Sequence, residues 1–223
     1  MLARGQGLTV LILAGGRSRR MGQDKIWLPF GADAVPLIER VVARVRPLAD
    51  EFLFSANAPE PFDALVSHLC GQGVPAQVVP DRFPGAGPLA GLHAGLRAAR
   101  CDLLLAVAGD MPFISPMLVK HMVTLMYGFD VVIPELPHPR TFEPVKEPLH
   151  AIYRQSCLRA VTARLAADER PMVGFLPDVR VRIVQPDELR VFDPELRSFF
   201  NVNTPEDWRV AEELSARELP GEE

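Results

Sequence analysis

The chain reads as an α/β protein, a doubly wound, mostly parallel sheet with helices on both faces in the Rossmann-like manner. Three observations predict this. Strand-like apolar runs alternate with helix-periodic segments over the first 134 residues. Two of those runs, residues 8–14 (LTVLILA) and 102–110 (DLLLAVAGD), lack the polar-apolar alternation of a half-exposed strand, as expected of parallel strands covered on both faces. The 223 residues, 48% of them hydrophobic, suffice for a sizeable core, and no linker-like stretch divides them, so a single domain over residues 1–223 is expected.

The elements follow in order. Residues 8–14 form the first strand, and residues 35–49 (VPLIERVVARVRPLA) carry helical spacing, with Pro36 tolerated in the first turn. Residues 51–56 (EFLFSA) are a second strand, 59–70 a short helix, and 76–80 (AQVVP) a third strand ended by proline. Residues 87–99 (GPLAGLHAGLRAA) read as a helix begun at a glycine, 102–110 as a strand, 115–127 as a helix and 130–134 (DVVIP) as a strand. This alternation predicts right-handed crossovers. Residues 135–150 (ELPHPRTFEPVKEPLH) hold four prolines and suit loops or an edge ribbon better than a central strand. Residues 151–154 (AIYR) and 179–184 (VRVRIV) are further strands around a helix at 155–167, and 204–218 is a closing helix with Thr204 as N-cap and Pro205 at its first position. The tail, 219–223, is expected to fray.

Charge and cysteine content exclude several classes. The net charge is −4, from 24 basic and 28 acidic side chains, so no global basic field favours nucleic acid. The apolar run at residues 8–14 is too short to span a bilayer and carries no signal-peptide cleavage pattern, which predicts a cytoplasmic protein without membrane contact. Cys70, Cys101 and Cys157 lie far apart with no Cys-x-x-Cys pair; reduced, semi-buried thiols are expected rather than disulfides or structural zinc. The histidines show no metal-ligand spacing. His68 and His121 fall in helices, His138 among prolines, and His150, near a motif, is expected to be buried and satisfied.

The chemistry concentrates after the first strand, in AGGRSRRMGQDK (residues 14–25). In an open parallel sheet ligands bind beyond the carboxyl ends of the strands. Gly15 and Gly16 allow a tight turn and close approach to a ligand, while Arg17, Arg19, Arg20 and Lys25 supply charge suited to a phosphate chain. The spacing is neither a P-loop nor a dinucleotide fingerprint, because Gly22 is followed by QDK and the glycines fall at 15, 16 and 22.

The stretch LILAGGRSRRMGQDK resembles the signature loop of the nucleotidyltransferases, and in particular of the molybdenum cofactor guanylyltransferase family. PDRFPGAGPLAGL (80–92), AVAGDMPF (106–113), EPLHAIYR (147–154) and FFNVNTPEDW (199–208) match the same family in order, so the resemblance runs from residue 11 to residue 208. It implies transfer of GMP from GTP to the terminal phosphate of molybdopterin, with Mg²⁺ as cofactor. Residues 8–134 would be the nucleotide-binding half and 135–215 the acceptor-facing half. Transient contact with molybdoenzymes or their chaperones is also implied.

Residue by residue, Asp110 ends an apolar strand, where a carboxylate beside a triphosphate would hold Mg²⁺; the alternative is a turn-capping aspartate. Lys25, with Arg19 beside it, would face oxygens that gain charge during transfer, against the alternative of solvated surface charge. Asp24 suits a structural role in the loop. By resemblance Leu13, Ala14, Gly15, Gly16, Asn57, Asp81 and Gly87 complete the nucleotide site, Asp81 accepting either from a guanine or from a ribose. Gly87, Pro88 and Gly91 form a small-residue helix entry against which a base could lie, or else serve close packing. Ser55 departs from the family, which often has asparagine there. Asn201 and Asn203 match a motif assigned to the acceptor side, although Asn203 also fits the turn before the last helix. No nucleophile and base pair stands out, as suits attack by an already ionised phosphate. Two other readings remain: a relative using CTP on the same pterin or another phosphorylated acceptor such as a sugar or lactyl phosphate, and a non-enzymatic nucleotide-binding module.

Overall fold

A computed structural model describes residues 7–14, 25–83 and 85–217. The strand β1 (Leu8–Leu13) lies at the centre of the main sheet, flanked on both sides by parallel neighbours, β4 (Glu51–Ser55) and β6 (Leu103–Ala108). Between β1 and β4 the chain forms a small antiparallel pair, β2 (Pro29–Phe30) with β3 (Val35–Pro36), and the helix α1 (Leu37–Val45). The segment 35–49 is thus shorter as a helix than its spacing predicts. Pro36 is spent in β3 and caps α1, and the chain tightens into a 3₁₀ turn at Arg46–Leu48, where Pro47 withholds an amide hydrogen.

After α2 (Asp63–Gly71), β5 (Ala76–Val79) pairs in parallel with β4 and closes that edge. The helix α3 (Pro88–Ala98) leads to β6, and α4 (Pro116–Thr124) leads to β7 (Val131–Pro137). The proline-rich stretch then forms the edge ribbon that its composition predicts. β8 (Pro144–Lys146) folds back antiparallel on the outer part of β7.

The departure from a parallel sheet is β9 (His150–Arg154), which inserts between β6 and β7 and runs antiparallel to both. The reversal comes earlier, at residues 138–143, where the chain turns back from β7 into β8; β9 continues in the direction of β8 after residues 147–149 and so enters from the carboxyl edge. After α5 (Leu158–Ala166), β10 (Val181–Val184) pairs in parallel with β7, giving the order β10-β7-β9-β6-β1-β4-β5. The short α6 (Pro186–Leu189) and α7 (Pro205–Ser215) follow.

Successive residues of β1 serve opposite faces. Val10 and Ile12 pack with α1, α2 and α4; Leu11 packs with α3 and α5; all three are fully buried. A third cluster of Phe30, Leu37, Phe113, Val202 and Ala211 fastens α7 to the carboxyl side of the sheet. Among the described residues no helix is long and apolar enough to cross a membrane. The three cysteines are free, but Cys70 is exposed on α2 rather than semi-buried, because it falls on the solvent face of that helix.

Candidate active site

The site is assembled where β1, β4, β5 and β6 end. Leu13 O accepts from Gly109 N at 3.1 Å, and Ala14 N donates to Ser55 O at 3.1 Å. These two bonds set the turn carrying Asp110 on one side of the end of β1 and the end of β4 on the other. Two groups of polar side chains result.

The first centres on Lys25, which begins a short 3₁₀ turn and is only 7% exposed. Its Nζ donates to Asp110 Oδ2 at 2.6 Å, to the Val202 carbonyl at 2.6 Å and to Asn203 Oδ1 at 3.0 Å. An ammonium has three hydrogens, and here three acceptors meet them, one of them charged. Such matching is required of a buried cation, whose desolvation is otherwise unfavourable by several kcal/mol. Val202 N donates to Asp110 O at 3.0 Å, so the carboxyl-terminal segment is tied to the Asp110 turn through backbone as well. Asn203 therefore faces Lys25, and its own N–H donates to Asp207 Oδ2 at 3.0 Å in the capping box that opens α7. Both readings of Asn203 thus meet in one residue. Burial pushes the Asp207 carboxyl up, but the Thr204 hydroxyl, the N–H groups of Asn203 and Thr204 and the charge of Lys25 bring it below its ordinary range.

The second group centres on Asp81, just past β5. Ser55 Oγ donates to Asp81 Oδ1 at 3.2 Å, and Asp81 N donates to Asn57 Oδ1 at 3.1 Å. Burial raises the Asp81 carboxyl above the usual aspartate range, while its bonds to Ser55 and Asn57 oppose that rise. Ser55, the departure from the family pattern, is therefore an anchor for Asp81. Gly87 caps α3 with φ 67° and ψ −151°, a conformation essentially confined to glycine, and no atom of the described residues lies within 4 Å of where its side chain would project. Gly91 serves packing instead. A Cβ there would stand 2.6 Å from Ser55 Oγ and 3.0 Å from Leu13 Cδ2, so the helix rests directly on the ends of β1 and β4.

Other candidates lie apart from these groups. Asn201 turns its amide back to Phe199 O at 3.2 Å. His150 is fully buried at the start of β9, but it is not satisfied: among the described residues neither ring nitrogen has a partner, and the ring packs on Phe199 at 4.8 Å. Burial lowers its pKa to about 4, against a small upward effect of Asp193. His93, on the buried side of α3, packs edge-on against Phe83 at 5.1 Å beneath the 81–87 turn, and nothing in its spacing had marked it. Gly15, Gly16, Arg17, Arg19, Arg20, Gly22 and Asp24 lie outside the described residues.

Sequence reasoning passed over Val202, whose contribution is a carbonyl and has no side-chain signature, and Asp207. The signal for Asp207 was present: a threonine followed three residues later by a carboxylate is the pattern of a capping box.

The family model of the MobA-like NTP transferase domain matches residues 10–179. A protein of Pelotomaculum thermopropionicum bearing the name "Probable molybdenum cofactor guanylyltransferase" is 39% identical over 199 residues, 89% of each chain. The crystal structure of molybdopterin-guanine dinucleotide biosynthesis protein A from Archaeoglobus fulgidus superposes with a TM-score of 0.76 at 30% identity, covering 94% of this chain and all of that one. The 2-C-methyl-D-erythritol 4-phosphate cytidylyltransferase of Thermus thermophilus shares the fold at TM-score 0.67 and 21% identity, over 94% and 99% of the two chains. With its mixed sheet and a polar site at the carboxyl ends of the central strands, the chain belongs to the MobA-like nucleotidyltransferases, the enzyme family of the molybdenum cofactor guanylyltransferases.

Proposed function

We propose that the protein transfers GMP from GTP to the terminal phosphate of molybdopterin, releasing pyrophosphate. The observation that carries this reading is the meeting of Lys25 and Asp110, 85 residues apart in sequence, at 2.6 Å beyond the end of β6. A lysine and a carboxylate so held suit a triphosphate and its cation, and the names of the relatives supply guanine and the pterin.

Asp110 fits Mg²⁺. One of its oxygens is engaged by Lys25, its side chain is 16% exposed, and among the described residues it belongs to no cluster of three metal-ligating side chains. Mg²⁺ is commonly held by one or two carboxylates together with substrate phosphates. When bound, it supplies positive charge against the phosphate oxygens.

The chain's own residues do the rest. All three hydrogens of Lys25 are taken, so it reaches a phosphate oxygen by exchanging its bond to Asp110, with Val202 O and Asn203 as its anchors. Asp81, held by Ser55 and Asn57, accepts from the nucleoside, and the open start of α3 at Gly87 receives it. A phosphate oxygen of the acceptor attacks the α-phosphorus; the new P–O bond forms as the α–β bridge bond breaks, and the electrons leave on pyrophosphate. The acceptor is already ionised near neutral pH, so positioning and charge carry the rate rather than a strong base. Residues 135–215 include Asn201 and Asn203 and form the half that faces the acceptor.

Incubation of the purified protein with each nucleoside triphosphate, Mg²⁺ and molybdopterin, followed by mass spectrometry of the pterin, tests the reading. A GMP adduct is expected; a CMP adduct would assign the protein to the cytidylyl alternative, and an unmodified pterin with all four would remove the enzymatic reading.

A further inference from the structure

We propose that Asp207 is a positioning residue for Lys25, acting through the single peptide group that joins Val202 to Asn203. This rests on the reading of Lys25 as the phosphate-facing cation and adds to it the residue that aims it. The C=O of that peptide accepts from Lys25 Nζ at 2.6 Å, and its N–H donates to Asp207 Oδ2 at 3.0 Å. The two bonds leave opposite sides of one planar unit, so the carboxylate and the ammonium are linked through a shared amide.

Three consequences follow from elementary chemistry. An anion on an amide N–H draws electron density toward its carbonyl oxygen, which strengthens that oxygen as an acceptor for the cation. The peptide cannot rotate without breaking both bonds, so Asp207 fixes the direction in which the carbonyl presents itself to Lys25. The same residue carries the Asn203 side chain, the third acceptor, so one carboxylate orients two of the three groups on the lysine. Asp207 also accepts from Thr204 N at 2.8 Å, and its own N–H donates to Thr204 Oγ1 at 3.1 Å, so the start of α7 holds the carboxylate still.

The difficulty is that Asp207 also caps α7, and a loss of activity would follow from unfolding alone. Thr204→Ala separates the roles. It removes the hydroxyl acceptor of the cap but keeps both N–H donors to Asp207 and the whole 202–203 peptide. We expect Thr204→Ala and Asp207→Ala to lower the melting temperature similarly, while kcat falls less than twofold in the first and at least tenfold in the second, with KM for GTP changed less than kcat. In a Lys25→Met background, Asp207→Ala should lower kcat no further. A second readout needs no turnover: the ¹H–¹⁵N resonances of the Lys25 ammonium should shift or broaden in Asp207→Ala and remain in place in Thr204→Ala. Asp207→Asn, which keeps an acceptor for the cap, provides the same comparison should Asp207→Ala fold poorly. Wild-type kcat and an unmoved ammonium signal in the Asp207 variants would overturn the proposal. So would a full, additive loss in the Lys25→Met background. A wild-type protein inert toward GTP and molybdopterin would instead refute the proposed function, and the ammonium signal would still decide the role of Asp207.

Discussion

Among the described residues Lys25, 7% exposed, stands beside one carboxylate at bonding distance, so replacing that carboxylate leaves a buried cation matched there by the neutral oxygens of Val202 and Asn203. Asp110→Asn is therefore expected to lose most turnover and about 2 kcal/mol of stability, less than for a wholly enclosed pair because Asp110 is partly open. Adding Lys25→Met should restore the stability and not the activity, as denaturant unfolding and kinetics would reveal; an Asp110→Asn variant as stable as wild type would mean that Lys25 finds compensation elsewhere. His150 predicts a pH dependence. Its folded pKa of about 4 lies below the usual 6.5, so the unfolded chain takes up a proton in that interval that the folded protein refuses. The contribution is fully present above pH 6.5 and is lost as the pH falls toward 4, amounting to about 3 kcal/mol. His150→Leu should flatten the stability profile between those limits, and an unchanged slope would place the acid sensitivity elsewhere.

Among the elements, α3 is the one whose placement the site most depends upon. It approaches β1 and β4 closely enough that a methyl group at Gly91 would meet Ser55 Oγ at 2.6 Å. Gly91→Ala is expected to cost about 1–3 kcal/mol as the helix lifts, and to weaken GTP binding through the Ser55 to Asp81 bond. Calorimetry and a KM measurement check the two effects separately. The start of α3 was legible in the sequence through its glycine and proline, as were β1 and β6 through unbroken apolar runs, because coverage on both faces leaves a compositional trace. The direction of β9 was not, since it is set by the turn at residues 138–143 that sends the chain back along β7 and not by the residues of the strand itself. The β2–β3 pair, two residues in each strand, is too short for any periodicity. In the site, Lys25 and Asp110 could be singled out by residue type and position. The Val202 carbonyl could not, and Ser55 was undervalued because its hydroxyl takes its meaning from Asp81, 26 residues away.

At the scale of the whole molecule, residues 25, 110 and 202–203 converge from three separate parts of the chain, so the polar cluster around Lys25 is complete only when the carboxyl-terminal segment has docked. The third core cluster, in which Val202 and Ala211 pack with Phe30, Leu37 and Phe113, performs that docking. The position of β9 adds a temporal order. β7 is made before β9, yet β9 separates β7 from β6, so the apolar strand β6 keeps one open edge until residues 150–154 arrive to fill the gap. Open edges of this kind recruit strands from other chains. Hydrogen exchange on nascent chains arrested at increasing lengths should therefore show amides between β1 and β4 protected before residues 150–154 have emerged and those on the open edge of β6 only afterwards; earlier protection of that edge would mean that the gap closes without β9. During synthesis the same geometry defines a window, from the emergence of residue 108 to that of residue 154, in which the nascent chain is most exposed to aggregation and most in need of a chaperone.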